Sequence, residues 1–230
     1  MGNIGKRIER VKENMEDSAA KEGRKREEIT LVAVSKTRDL SAIVEAADGG
    51  IECFGENYIQ EAGEKISAIE RPLKWHLVGH LQANKAKKAV RLFDMIETVD
   101  SVSVAHEISA RALSAGKIVP ILVQVNVAEE SSKWGVLQND LVTLLEEIAL
   151  LPGIIMSGLM TIPPYTEDPE DARPFFIALR ELRDKINDME IEGISLHDLS
   201  MGMSHDYQVA IEEGATIIRV GTAIFGRRKV

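Results

Sequence analysis

The 230-residue sequence predicts an α/β protein of the closed (β/α)8, TIM-type barrel class, with one extra helix at the N-terminus. Three observations carry that expectation. Eight short apolar runs alternate with helical patterns from end to end. Several runs are continuously apolar, as parallel strands covered on both faces require. No low-complexity linker, internal repeat or composition break interrupts the series, so one domain over residues 1–230 is expected. An open doubly wound sheet shares the alternation but rarely runs to eight regular units.

The elements follow in order. Ile4, Ile8, Val11 and Met15 recur at spacings of three and four and give the first amphipathic helix. Strands are expected at 29–34, 52–55, 75–78, 95–99, 119–127, 154–160, 194–199 and 216–220. Between them, Ile59, Ala62, Ile66 and Ile69 form one helical face, and Leu141, Leu144, Leu145, Ile148 and Leu151 another. Phe176, Leu179, Leu182, Ile186 and Met189 form a third. Pro152-Gly153 ends the second of these helices, and Asp168-Pro169 reads as a cap with proline in the first turn. Pro174 predicts that this last helix starts later than residue 168 or bends.

Composition excludes several classes. Apolar residues make up 44% of the chain, enough for a real core. The single cysteine, Cys53, leaves no internal disulfide and points to a reducing, cytoplasmic setting. No apolar stretch approaches the ~20 residues of a membrane span, and the charged N-terminal segment lacks a secretory core. A formal net charge of −9 argues against a nucleic-acid partner. Lys85, Lys87, Lys88 and Arg91 are the exception, read as a solvated helix face in preference to a polyanion site. A small anion stays admissible, because charges beyond about 8 Å are screened at physiological salt.

The chemistry concentrates at three strand ends. The first strand delivers one amine, Lys36, at its tip. Ser200 to Ser204 follow the seventh strand, and Gly221-Thr222 follow the eighth. In a barrel the loops at the C-terminal strand ends build the active face, phosphates often sit after strands seven and eight, and strand one pairs with strand eight on closure. Ser204 is placed to cap the following helix, whose free N–H groups favour an anion. Gly202 and Gly221 let backbone approach a phosphate. An amine facing a phosphate cradle is what holding pyridoxal 5'-phosphate (PLP) as an imine requires. Arg219, after Ile217-Ile218, is aimed at the barrel mouth. Taken singly, each feature has an ordinary reading: a strand-end lysine in solvent, glycines in tight turns, a surface ion pair. An aldolase-like barrel acting on a phosphorylated sugar fits the spacing equally well. His76 and His80 bracket Leu-Val-Gly on a strand and turn, where a spacing of four does not converge, so no metal site is expected.

Six stretches together resemble the pyridoxal phosphate homeostasis proteins, which share the barrel of the alanine racemase N-terminal domain. They are Val34-Ser-Lys-Thr37, Gly55-Glu-Asn-Tyr-Ile-Gln-Glu61, Trp75-His-Leu-Val-Gly-His-Leu-Gln82, Gly158-Leu-Met-Thr161, Leu199-Ser-Met-Gly-Met-Ser204 and Arg219-Val-Gly-Thr-Ala-Ile-Phe-Gly226. The resemblance runs in order over residues 1 to about 226 and shows no departure at these motifs. It implies that Lys36 forms the internal aldimine with PLP. Ser204, Gly221 and Thr222 then hold the phosphate, Asn57 lies near the cofactor, and Arg219 faces the pyridine nitrogen. A guanidinium cannot give its proton to that nitrogen, which leaves the ring a poorer electron sink than one facing a carboxylate.

Two functions compete on this basis. One is a carrier that buffers PLP or passes it to PLP-dependent apoenzymes and has no catalytic residue of its own. The other is a small amino-acid racemase. Racemisation needs a proton donor on each face of the α-carbon. In alanine racemase a tyrosine from an additional C-terminal domain of the partner subunit serves the second face. The chain ends at Val230, after the eighth strand, so the carrier reading is favoured. Lack of that dimer-forming domain points to a monomer.

Overall fold

A computed structural model describes residues 2–130 and 133–227. Eight parallel strands close into a barrel in sequence order: β1 Thr30–Val34, β2 Cys53–Glu56, β3 Lys74–Leu77, β4 Met95–Val99, β5 Val119–Gln124, β6 Ile154–Met160, β7 Asp198–Met203 and β8 Ile217–Val220. Closure is made by β1 against β8, in register from Thr30 opposite Ile217 to Ala33 opposite Val220. Helix α1 (Asn3–Lys21) precedes the barrel. After each strand comes one helix: α2 Leu40–Asp48, α3 Ile59–Ala68, α4 Ala86–Leu92, α5 Val102–Ser114, α6 Leu141–Ile148, α7 Arg173–Asp188, α8 Tyr207–Glu212 and α9 Thr222–Phe225.

Two apolar layers hold these elements. Inside the barrel, Val32, Cys53, Val78, Leu122, Met160 and Ile217 pack on one another. The larger core lies between strands and helices, and every strand contributes to it. Helix α1 buries Ile8, Val11 and Met15, the face its sequence predicts, against α8, α9 and α2. Asn14 Nδ2 donates to Tyr207 Oη at 2.8 Å, and Arg24 donates to the carbonyls of Ile211 and Ala215, so the extra helix is tied to the end of the chain.

Two expectations change. The seventh strand was expected at 194–199 but runs over Asp198–Met203. Asn187 brackets Leu196 instead, donating to its carbonyl at 2.8 Å and accepting its N–H at 2.9 Å, which satisfies that backbone outside the sheet. The β6 register sets Asp198 opposite Gly158, where a Cβ would stand 1.9 Å from the Asp198 carbonyl oxygen. The fifth strand, expected to reach residue 127, ends at Gln124. Its β6 neighbour leads into Pro163-Pro164, which cannot extend a ladder, and Val125 bridges to Val136. Pro174 accords with the expectation that the helix starts later than residue 168. It stands in the first turn of α7, and Asp168 caps a separate 3₁₀ turn over Pro169–Ala172 by accepting the Glu170 N–H.

Candidate functional site

Parallel closure brings the ends of β7, β8, β1 and β2 side by side as one arc, and all six predicted site residues lie along it. Lys36 is half-buried, two residues past β1. Its turn leans on the far end of the chain. The Val34 carbonyl oxygen stands 3.4 Å from where a Cβ of Gly221 would be. Arg38 donates to the Gly226 carbonyl and lies over the Phe225 ring, 5.8 Å from its centroid.

Beneath the Lys36 turn is a buried ion network that the sequence reading missed. Lys65 Nζ on α3 donates to Glu56 Oε1 at 2.6 Å, to Glu61 Oε1 at 2.6 Å and to the Ser35 carbonyl at 2.7 Å. Ser35 Oγ donates to the same Glu56 oxygen at 2.6 Å, and Glu61 Oε1 accepts the Thr37 N–H at 2.6 Å. The residues before and after Lys36 are therefore both held by this cluster. Thr37 sits at φ 62°, a left-handed conformation that costs a β-branched residue energy and needs such support. Burial pushes the Glu56 carboxyl above its ordinary range, against the bonds from Lys65 and Ser35, and its second oxygen has no hydrogen-bond partner. The signal was present: Glu56 closes an otherwise apolar strand, and Glu61 and Lys65 are spaced i, i+4 on the next helix.

A second network fills the barrel interior. His76 Nδ1 meets Glu97 Oε1 at 2.6 Å, and Ser200 Oγ donates to Glu97 Oε2 at 2.6 Å. Arg219 donates to Ser200 Oγ and, at 2.7 Å, to the Thr161 carbonyl, with Glu97 Oε2 at 3.9 Å. Burial opposes a charge on His76, but its hydrogen bonds to Cys53 and Glu97 outweigh it and push the imidazolium up to about 10. Glu97 is also penalised by burial, yet His76 and Arg219 hold it below the usual carboxylate range. Burial lowers the Arg219 guanidinium, against the attraction of Glu97 and Asp206. Arg219 shares the inward face of β8 with Ile217, as its position in the strand requires.

The cradle differs in detail from its sequence reading. Ser200 to Met203 belong to β7, so only Ser204 lies past the strand. Nor does Ser204 cap α8. Asp206 is the N-cap residue there, and it turns back to accept the Met203 N–H at 2.6 Å. Ser204 Oγ instead accepts the N–H groups of Gly221 at 3.0 Å and Ala223 at 3.1 Å, reaching the first turn of α9. Gly202, at φ 90°, is where β7 meets α8: a Cβ would come within 2.6 Å of the Ala210 Cβ. It serves that packing. Thr222 is exposed at the start of α9.

Asn57 follows β2 and is half-buried. Gly79 fixes its place, since a Cβ there would stand 2.3 Å from the Asn57 carbonyl oxygen. Asn57 also borders a cavity of about 890 Å³ that none of the other five site residues lines. His76 and His80 diverge, one inside the barrel and the other stacked on Trp134 at 3.7 Å between ring centroids. Among the described residues no group of three or more His, Cys, Asp or Glu side chains is arranged to hold a metal ion. Nor is any described helix long and apolar enough to cross a membrane.

Comparison with known proteins agrees with this architecture. The alanine racemase N-terminal domain family matches residues 7–229. A pyridoxal phosphate homeostasis protein of Aquifex aeolicus is 42% identical, covering 99% of each chain, and one of Escherichia coli is 37% identical, covering 99% of this chain and 98% of its own. The solved structure of PipY from Synechococcus elongatus with PLP bound superposes with a TM-score of 0.84 at 34% identity, over 97% of this chain and 100% of that one. Alanine racemase of Corynebacterium glutamicum shares the fold, with a TM-score of 0.71 at 15% identity over 97% of this chain and 62% of its own. The chain therefore belongs to the alanine racemase N-terminal domain family and, within it, to the pyridoxal phosphate homeostasis proteins.

Proposed function

We propose that this protein binds PLP at the C-terminal mouth of its barrel and holds it in reserve, buffering the cofactor or handing it to PLP-dependent apoenzymes. The observation that carries the reading is the contact between the two ends of the chain: the Lys36 turn lies against the Gly221 turn and α9. An amine and a set of anion donors are thereby brought to one place, and relatives bearing the homeostasis name match over their full length.

The residues present fit the group. When bound, PLP supplies an aldehyde that condenses with a lysine amine and a phosphate that needs donors. Lys36 is the amine. Ser204 Oγ already accepts two N–H groups, so its own proton is left to donate, and Thr222 offers an exposed hydroxyl beside it. Gly221 keeps this wall of the cradle free of a side chain. Arg219, held from behind by Ser200, Thr161 and Glu97, would offer the ring nitrogen a cation that cannot give up its proton, and Asn57 borders the site from β2. A fixed guanidinium at that nitrogen favours retention over carbanion chemistry. The likeness to alanine racemase bears on the fold alone.

Titration with PLP, followed by borohydride reduction and peptide mapping, tests the site. The label is expected on Lys36, and Lys36→Ala is expected to lose it while keeping a weaker, phosphate-driven affinity by calorimetry. A label on another lysine, or none, overturns the assignment. Solvent deuterium incorporation at the α-carbon across a panel of amino acids tests the carrier reading, which steady exchange would defeat.

A further inference from the structure

The lysine cluster set aside as a solvated face does not sit on a featureless surface. Lys85, Lys87 and Lys88 line the cavity bordered by Asn57, together with Tyr58, Trp134 and His80. In a chain with 37 acidic residues, no described residue lining this cavity is a carboxylate. Asp100 approaches only the back of His80, at 3.5 Å. Among the described residues none of the three lysines has an ion-pair partner, whereas Lys21, Lys65 and Lys133 each do. Tyr58 and Trp134 are each 61% exposed, so two large rings flank the lysines, Trp134 with one face stacked on His80.

We propose that this rim is the docking face for an acidic surface segment of the apoenzyme that receives PLP. The inference rests on the carrier reading above and names its partner's chemistry. A small molecule is a poor occupant, because sites for such ligands enclose most of the ligand, and here all three lysines and both rings are exposed. Exposed aromatic anchors beside unpaired cations are what a protein interface with a charged rim presents. Charge complementarity selects an acidic partner, and the chain's net charge of −9 disfavours nonspecific contact with it elsewhere. Asn57 belongs both to the cofactor arc and to this cavity, so a partner seated here would stand at the mouth from which PLP leaves.

The PLP-loaded full chain is compared with a variant carrying Lys85→Glu, Lys87→Glu and Lys88→Glu. Two quantities are read: binding of a fluorescein-labelled hexaglutamate peptide by anisotropy, and the rate of PLP transfer to an apo-transaminase. Both are measured at ionic strengths of about 50 mM and about 500 mM. At low salt the variant is expected to bind the peptide about tenfold or more weakly and to transfer PLP correspondingly slowly, with both differences collapsing at high salt. Its PLP affinity is expected to stay within about twofold, since none of the three lysines belongs to the cradle. Equal peptide binding by the two proteins overturns the proposal and returns the cluster to a solvated face. Tighter binding of a short single-stranded DNA than of the peptide also overturns it. Failure of the carrier reading shows separately, as a borohydride label absent from Lys36 in both proteins.

Discussion

Replacing Lys65 by methionine removes the cation that joins three oxygen acceptors beneath the Lys36 turn: Glu56 Oε1, Glu61 Oε1 and the Ser35 carbonyl, all within 2.7 Å of Nζ. Glu56 is fully buried, so its charge would be left with only the Ser35 hydroxyl. Removing one partner of a buried pair costs about 3–5 kcal/mol, whereas exchanging both for neutral groups of similar volume is often neutral. Lys65→Met is therefore expected to lose about 3–5 kcal/mol in urea unfolding. For a chain of this length that loss corresponds to roughly 6–20 °C in Tm. Glu56→Gln combined with Lys65→Met is expected to recover most of it. The sign of the pH dependence follows from Glu56. Its folded carboxyl already lies above the unfolded value, and losing Lys65 raises it further. The folded variant then holds the proton more tightly than the unfolded chain, so stability falls as pH rises from about 4.5 toward the folded value. The deficit should be small in mild acid and full at neutral pH. Because Ser35 and Thr37 flank Lys36, PLP should also dissociate faster from the single variant. A loss below about 1 kcal/mol, or a double variant no better than the single one, would refute the claim that Lys65 offsets a buried charge.

Three further outcomes are expected. Gly79→Ala puts a Cβ 2.3 Å from the Asn57 carbonyl oxygen; it should cost about 1–3 kcal/mol and weaken PLP binding with the Lys36 label intact, and unchanged calorimetric affinity would detach Asn57 from the site. Ser204→Ala orphans the part-buried N–H groups of Gly221 and Ala223; about 1 kcal/mol of stability should go, with PLP affinity about tenfold lower, and an inorganic phosphate competition curve matching wild type would count against the cradle. Third, the raised imidazolium of His76 gives a stabilisation present in full below pH about 6.5 and lost as pH climbs toward about 10. Unfolding free energy should drop over that window by no more than about 1.4 kcal/mol per pH unit, and a slope unaltered in His76→Gln would show that another group titrates.

The barrel was legible because its strands are short apolar runs at regular intervals. The β1–β8 contact that unites Lys36 with Gly221 followed from closure alone, and the register shows it. Six strands lie within about a residue of their expected places; the two exceptions share a cause. Strand ends depend on what the neighbouring strand offers, and neither Gly158 opposite Asp198 nor the Pro163-Pro164 stop beside β5 can be seen in one segment's own pattern. The same limit hid the networks. Glu56, Lys65, His76 and Glu97 are polar residues among apolar ones, visible singly, but their pairing is set by the order of strands around the barrel. Ser204 shows the reverse case. Its type suited a helix cap, yet the helix it reaches begins eighteen residues later, because β7 and β8 end side by side.

Net charge leaves anion binding open for a physical reason. A value of −9 is a sum over the whole surface, while a bound anion senses charges within about a Debye length, ~8 Å at physiological salt. At the C-terminal face of the barrel the carboxylates are largely consumed. Glu56 and Glu61 share Lys65, and Glu97 lies between His76 and Arg219. Asp206, pushed upward by burial, takes a backbone N–H. Among the described residues the cations on the rim have no such partners, for Lys85, Lys87 and Lys88 line a cavity whose described lining lacks any acid. The local potential at the mouth can therefore oppose the sign of the total, and low-dielectric walls focus it there.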